Sequence, residues 1–100
     1  MKFLFVCTAN LDRSPCAEIL FEGSKSCGIH PFAETLISKE ALKLADTIFC
    51  MEHEHKQHII DNFPEININK IIVLNIPNIY ARYDPELEKL LRIKLKEYLE

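Results

Sequence analysis

Short apolar runs alternate with helix-like segments along the whole chain, and this alternation constrains the fold more than any other feature of the sequence. The predicted strands are residues 2–7, 28–32 (the weakest of them), 47–51 and 70–76. The predicted helices are residues 14–22, 39–45, 52–63 and a segment that opens at Asp84-Pro85. Strands and helices that alternate in this way are typical of an α/β three-layer sandwich with a parallel sheet and right-handed crossovers.

Size and composition narrow the classes of protein that the chain can belong to. The 100 residues predict one domain over 1–100, and a hydrophobic content of 48% argues against disorder. The net charge of −3, without a Lys/Arg run, argues against a nucleic-acid partner. No apolar run approaches the roughly 20 residues that span a bilayer, so we expect no membrane partner. The four cysteines match neither a disulfide scaffold nor a zinc pattern, which predicts a cytoplasmic location.

The loop after the first predicted strand carries the chemistry. Cys7 lies at the carboxyl end of that strand, where α/β proteins bind ligands, and Arg13 follows six positions later. We expect Ser14 to cap a helix whose first residue is Pro15. Inward-facing amides, the helix N-terminus and the forked guanidinium would together bind a phosphate. The same positive field favours a thiolate at Cys7, with Ser14 as a hydroxyl donor to its sulfur.

The segment from Cys7 to Glu18 resembles the signature of the low-molecular-weight protein tyrosine phosphatases, in which a Cys and five residues precede Arg-Ser-Pro and a nearby Ala-Glu. Residues 46–52 are similar to the third strand and next helix start of that family. The resemblance is strongest to a short branch of it, in which a proline-containing loop leads into Asp-Pro-Glu-Leu. It implies a four-stranded parallel sheet, a cysteinyl-phosphate intermediate, no metal and no cofactor.

The resemblance also assigns roles to residues of the loop. It implies that Cys7 is the nucleophile, Arg13 the phosphate clamp, Ser14 an aid to the thiolate and Asn10 a brace. The predicted phosphate-binding residues are Thr8, Ala9, Asn10, Leu11, Asp12, Arg13 and Ser14. The expected partners are a phosphorylated protein or a small aryl phosphate, and inorganic phosphate or sulfate at the loop.

Two positions depart from the family pattern. The family's general acid falls on Asn78, whose amide cannot supply a proton. Asp84 is the nearby carboxylate, and it serves either as the acid or as the N-cap of the last helix. Asp12 stands where many members have a second Cys, and we expect it to face solvent or to pair with a neighbour.

Several alternatives remain open at this stage. A phosphate-binding module without turnover is favoured by Asn78, whereas arsenate reduction would need two further cysteines in relay. Tyr80 and Tyr83 either wall a phosphotyrosine pocket or pack at its rim. A metal site is the less favoured reading of one cluster, which comprises Cys50, His53, His55 and His58.

Overall fold

The structure is a computed structural model that describes residues 2–99, with the side chains of residues 2–98. Its strands are β1 (Phe3–Cys7), β2 (Lys25–Gly28), β3 (Thr47–Cys50) and β4 (Ile71–Val73). Its α-helices are α1 (Arg13–Leu20), α2 (Lys39–Leu44), α3 (His53–Asn62) and α4 (Pro85–Leu99), and a short 3-10 turn (Ile68–Lys70) precedes β4. No helix within these residues is long and apolar enough to cross a membrane.

The four strands form one parallel sheet in the order β2-β1-β3-β4. Every residue of β1 is buried, which explains why its sequence is a continuous apolar run. In the register of the sheet, Cys7 at the end of β1 pairs with Gly28 of β2. The predicted α/β sandwich with a four-stranded parallel sheet is confirmed.

Two hydrophobic cores cover the two faces of the sheet. On one face, Phe5 and Phe49 stack at 5.4 Å between ring centroids, and helices α1 and α4 close over them. The residues that α4 contributes, Leu87, Leu91 and Leu95, recur at helical spacing and are fully buried. On the other face, Leu42 and Ile59 pack against alternate residues of the sheet. Because each core is built from alternate residues of the same strands, β1 is held firmly from both sides.

The main differences from the predicted element boundaries lie in α1, β2 and β4. Helix α1 begins at Arg13 rather than at Pro15, because the hydroxyl of Ser14 bonds the sulfur of Cys7 instead of capping the helix. Strand β2 lies at Lys25–Gly28, so it shares only Gly28 with the predicted strand 28–32, and the chain turns away after that residue. Strand β4 ends at Val73 because Asn75 adopts a left-handed conformation (φ 57°).

Candidate active site

Asn10 shapes the loop that joins β1 to α1. Its backbone lies in the left-handed region (φ 57°), which asparagine tolerates better than most residues. This conformation lets its N–H donate to the sulfur of Cys7 at 3.2 Å. Its side-chain Nδ2 donates to the hydroxyls of Ser14 (2.9 Å) and Ser26 (3.0 Å). Asn10 therefore braces both the loop and the residue that faces the sulfur, as the sequence predicts.

The sulfur of Cys7 is surrounded by donors. Ser14 Oγ lies 2.9 Å from it and accepts a hydrogen bond from Asn10, and the Ser14 proton has two acceptors within reach, the Cys7 sulfur and the carbonyl oxygen of Cys27 at 3.3 Å. The Asn10 amide and the Ser14 hydroxyl thus both lie within hydrogen-bond distance of this one sulfur. The side chain is nonetheless only 2% exposed, so it opens to the loop cavity alone.

The other cysteines lie in a different environment. All four thiols of the chain are free and buried. Burial raises the pKa of Cys27, and it raises the pKa of Cys50 to about 12. Burial, reinforced by the negative charges of Glu88 and Asp84, also raises the pKa of Cys16. These three side chains are therefore neutral core thiols near pH 7.

Arg13 is held by one edge of its guanidinium. The side chain is only 1% exposed, and its Nη1 donates to Glu52 Oε1 and, at 2.8 Å, to the carbonyl oxygen of Ile76. Its Nη2 donates to Thr8 Oγ1 at 3.3 Å. Within residues 2–98, Nε makes no hydrogen bond, so the edge formed by Nε and Nη2 remains for a ligand. Two parallel N–H groups of this kind match two oxygens of a phosphate.

A cavity of about 150 Å³ lies inside the loop. The residues that line it are Cys7, Thr8, Ala9, Leu11, Asp12, Arg13 and Asn78. The structure thus brings together most of the predicted phosphate-binding set, while Asn10 and Ser14 support it from behind. A second cavity has a volume of about 480 Å³, and no cysteine lines it. Its lining residues are Glu52, His53, Glu54, Asn75 and Pro77.

The structure places the two acidic residues that the sequence singled out, Asp84 and Asp12, in different surroundings. Asp84 accepts the backbone N–H of Glu86 at 2.9 Å at the start of α4, and it does not line the loop cavity. This geometry supports its capping role rather than that of the general acid. Asp12, expected to face solvent or to pair with a neighbour, is partly exposed, lines the cavity and makes no ion pair within residues 2–98.

The tyrosines do not wall the cavity either. Tyr80 packs against the core beneath α4, and Tyr83 is largely exposed. The segment that carries them is tied down by Arg82, which donates to the carbonyl oxygen of Leu11 and, at 2.7 Å, to Glu34 Oε2. Arg82 therefore links the loop of residues 77–84 to the phosphate loop, which the sequence did not reveal.

Sequence reasoning also missed Glu52 as a partner of Arg13, although a signal for it existed. Glu52 follows β3, which neighbours β1, and the carboxyl ends of parallel strands meet at the same edge of a sheet. No feature of the sequence pointed to a role for Gly28. A Cβ at Gly28 would lie 2.6 Å from the carbonyl oxygen of Thr8 and 2.8 Å from the amide nitrogen of Asn10. Only glycine lets β2 approach the loop this closely.

His55 is the third residue whose role was missed, because the sequence singled it out only as a member of a disfavoured metal cluster. Its ring is fully buried, with Nδ1 3.0 Å from the backbone nitrogen of Glu52 and Nε2 3.0 Å from Thr8 Oγ1. Burial, together with the charge of Arg13, lowers the pKa of His55 to about 4. The ring is therefore neutral near pH 7.

The less favoured metal-site hypothesis from the sequence gains no support around this histidine. Within the described part of the chain, the ligand atoms that lie within 4.8 Å of one another belong to Glu52, Glu54 and His55. Glu52 is already paired with Arg13, and His55 is bonded to Thr8. Neither group is free to serve as a metal ligand, and Cys50 of the predicted cluster is a buried neutral thiol.

Comparison with known proteins gives one kind of match. No family model and no curated relative matches the chain. Among solved structures, the chain is similar to a low-molecular-weight protein tyrosine phosphatase from Bacillus subtilis, with 25% identity, a TM-score of 0.73 and coverage of 100% of both chains. It is also similar to the tyrosine phosphatase Wzb from Escherichia coli K30 in complex with phosphate, with 22% identity, a TM-score of 0.77 and coverage of 97% of this chain and 94% of the other.

A third similar structure is a mutant of the YwlE arginine phosphatase with a phosphorylated active-site serine. It has 24% identity and a TM-score of 0.75, and the match covers 99% of this chain and 95% of the other. All three matches span almost the full length of both chains, so they include the sheet, the four helices and the loop around Cys7. The chain has the fold of the low-molecular-weight protein tyrosine phosphatases, and the resemblance that its Cys7-to-Glu18 segment indicates is confirmed.

Proposed function

We propose that the chain is a phosphomonoester hydrolase of the low-molecular-weight protein tyrosine phosphatase type, with Cys7 as its nucleophile. The observation that carries this proposal is the position of the Cys7 sulfur. It accepts from the Asn10 amide, lies 2.9 Å from the Ser14 hydroxyl and lines the same cavity as Arg13, which has the edge formed by Nε and Nη2 available for a ligand. An anion bound to that edge would be held beside a stabilised thiolate, which is the arrangement for nucleophilic attack at phosphorus.

The first step forms a bond from the Cys7 sulfur to phosphorus and breaks the bond from phosphorus to the leaving oxygen. Arg13 and the loop backbone stabilise the charge on the equatorial oxygens. In the second step, water attacks the phosphorus of the cysteinyl phosphate, and the sulfur leaves as a thiolate that accepts the Ser14 hydroxyl proton as a hydrogen bond. The proton of the water ends on the released inorganic phosphate. Neither step requires a metal.

Leu11 supports a phosphorylated protein or a small aryl phosphate as the substrate. This side chain is 51% exposed and lines the cavity, so it offers an apolar contact to an aromatic ring. A phosphotyrosine peptide is therefore the first substrate to assay, and a phosphoarginine peptide is the comparison suggested by the similarity to YwlE. A cytoplasmic location follows in this proposal from the four free thiols, since a reducing compartment keeps a nucleophilic cysteine active.

Hydrolysis of p-nitrophenyl phosphate tests the proposal. The wild type should turn over, and Cys7→Ser should lose activity while it still binds inorganic phosphate. Cys16→Ser is the matched control, because Cys16 is a buried thiol outside the loop cavity and its loss should leave turnover in place. If wild type and Cys7→Ser are equally inert and both bind phosphate, the chain is a binding module and the hydrolase proposal is wrong.

A further inference from the structure

We propose that His55 orients the hydroxyl of Thr8 so that it donates a hydrogen bond to the bound oxyanion. Glu52 positions both His55 and Arg13. This inference rests on the proposed function, because it concerns the same anion site. It assigns a binding role to the Thr8 side chain and positioning roles to two residues that lie at the junction of β3 and α3.

The tautomer of His55 follows from its neighbours. The backbone N–H of Glu52 can only donate, and it points at Nδ1 of His55 from 3.0 Å, so Nδ1 carries no proton. In a neutral ring the proton must then be on Nε2. Nε2 lies 3.0 Å from Thr8 Oγ1, whereas the Glu54 carboxylate is 3.7 Å away and beyond hydrogen-bond distance. His55 therefore donates to the Thr8 oxygen.

The direction of the Thr8 proton follows in turn. A hydroxyl oxygen has two acceptor positions and one proton. Thr8 Oγ1 accepts from Nε2 of His55 and, more weakly, from Nη2 of Arg13 at 3.3 Å. Both acceptor positions are then occupied, so the hydroxyl proton has to be given to another group. Thr8 lines the cavity beside Cys7 and Arg13, and an oxyanion in that cavity is the acceptor available to it.

Glu52 completes the arrangement by two separate contacts. Its carboxylate accepts from Nη1 of Arg13, and its backbone N–H fixes the His55 ring. The same residue thereby positions the charged donor and the neutral donor of the site. Because His55 is fully buried and neutral, it orders Thr8 without adding a second positive charge next to Arg13.

Binding of inorganic phosphate to the full chain, measured by calorimetry, tests the inference without any turnover. Thr8→Val removes the donor at nearly constant shape and should weaken phosphate binding roughly tenfold or more, the usual loss for a hydrogen bond to an ion. Thr8→Ser keeps the hydroxyl and should bind within about threefold of wild type. His58→Gln, on the same helix but away from Thr8, is the control for altering a histidine of α3.

A double-mutant cycle separates positioning from general structural damage. His55→Phe should weaken phosphate binding severalfold in the wild-type background and by less than about twofold in the Thr8→Val background, because its effect acts through the hydroxyl. Equal losses in both backgrounds would overturn the inference. The tautomer is a second readout for use if a variant does not fold: ¹⁵N NMR of the wild type should show the proton of His55 on Nε2, and a proton on Nδ1 overturns the inference.

Failure of this inference is distinguishable from failure of the proposed function. If the wild type hydrolyses p-nitrophenyl phosphate but Thr8→Val binds phosphate as tightly as wild type, the inference is wrong and the hydrolase proposal stands. If the wild type does not turn over but the Thr8 and His55 effects on phosphate binding are found, the hydrolase proposal is wrong and the inference stands. A wild type that binds no phosphate overturns both.

Discussion

At the scale of single residues, the site brings together the proposed nucleophile and the proposed phosphate clamp, but it has no carboxyl group at the position of the family's acid. Asn78 lines the cavity in that position, and its amide cannot protonate a leaving group. Asp84 accepts the N–H of Glu86 and lies outside the cavity wall. A phosphatase without a general acid depends on the stability of the departing oxyanion, so substituted phenyl phosphates reveal whether an acid is present.

We expect wild-type kcat/KM to fall steeply as the pKa of the leaving phenol rises. Asn78→Asp places a carboxyl group in the cavity and should raise hydrolysis of the poorest leaving groups by roughly tenfold or more, which flattens the dependence. Asp84→Asn is the control, because asparagine caps a helix as well as aspartate does, and it should leave both the slope and the stability unchanged. A steeper slope in Asp84→Asn would identify Asp84 as the acid.

At the scale of elements, the phosphate loop depends on how closely β2 approaches it. Gly28 pairs with Cys7 at the end of both strands, and its amide donates to the carbonyl oxygen of Thr35 at 2.8 Å. The loop backbone at Thr8 and Asn10 passes directly over this residue. The Asn10 side chain then bonds Ser26 of the same strand at 3.0 Å. Strand β2 thus packs directly against the phosphate loop and supports it.

Gly28→Ala tests this dependence. The added Cβ would lie within 2.8 Å of two backbone atoms of the loop, which cannot move aside as a flexible side chain could. We expect p-nitrophenyl phosphate kcat/KM to fall at least tenfold, with a loss of about 1–3 kcal/mol in stability from overpacking. Thermal unfolding and the activity assay measure the two effects separately.

Gly23→Ala is the matched control for this substitution. Gly23 has a positive φ of 82° but no atom within 4 Å of a Cβ built on it, so alanine there strains the backbone of a turn without touching the loop. It should cost about 1 kcal/mol in stability and leave activity unchanged. If both glycine variants retained full activity, the close approach of β2 would have no role in shaping the site.

At the scale of the whole molecule, the buried His55 contributes both to the candidate site and to the pH dependence of the free energy of unfolding. His55 makes two hydrogen bonds that link α3 to the end of β3 and to the phosphate loop. Burial, with smaller contributions from the charges of Arg13 and His58 and an opposing one from Glu52, lowers its pKa from 6.5 to about 4. The unfolded chain therefore binds a proton at a higher pH than the folded chain does.

The sign of the resulting pH dependence is fixed by this difference. Between about pH 6.5 and pH 4 the unfolded state binds a proton at residue 55 and the folded state does not, so stability falls as the pH falls. The loss across this window is roughly 3 kcal/mol. Urea unfolding at several pH values should show a shallower decline for His55→Gln than for wild type. His58→Gln, which leaves His55 in place, should keep the wild-type decline; equal slopes for His55→Gln and wild type would contradict the assignment.

The fold class and the loop that carries Cys7 and Arg13 could be predicted from the sequence alone. Hydrophobic periodicity is a local property, so the apolar runs predict β1 and β3 closely, and the Leu87, Leu91 and Leu95 stripe predicts the last helix. Cys7 and Arg13 are six residues apart in one loop between a strand and a helix, so their meeting follows from short-range geometry. The role of Asn10 as a brace came instead from the family resemblance.

The remaining contacts of the site join segments that are far apart in the chain, and no local pattern encodes them. Glu52 meets Arg13 across 39 positions, and His55 meets Thr8 across 47. Both contacts exist because β3 pairs with β1 in one particular register, which brings the start of α3 to the phosphate loop. Ser14 is a local exception: the sequence predicts both a helix cap and a contact with the Cys7 sulfur for it, and the folded chain keeps only the contact, since the helix begins at Arg13. Long-range pairing therefore decides what surrounds a nucleophile that a short segment of sequence already identifies.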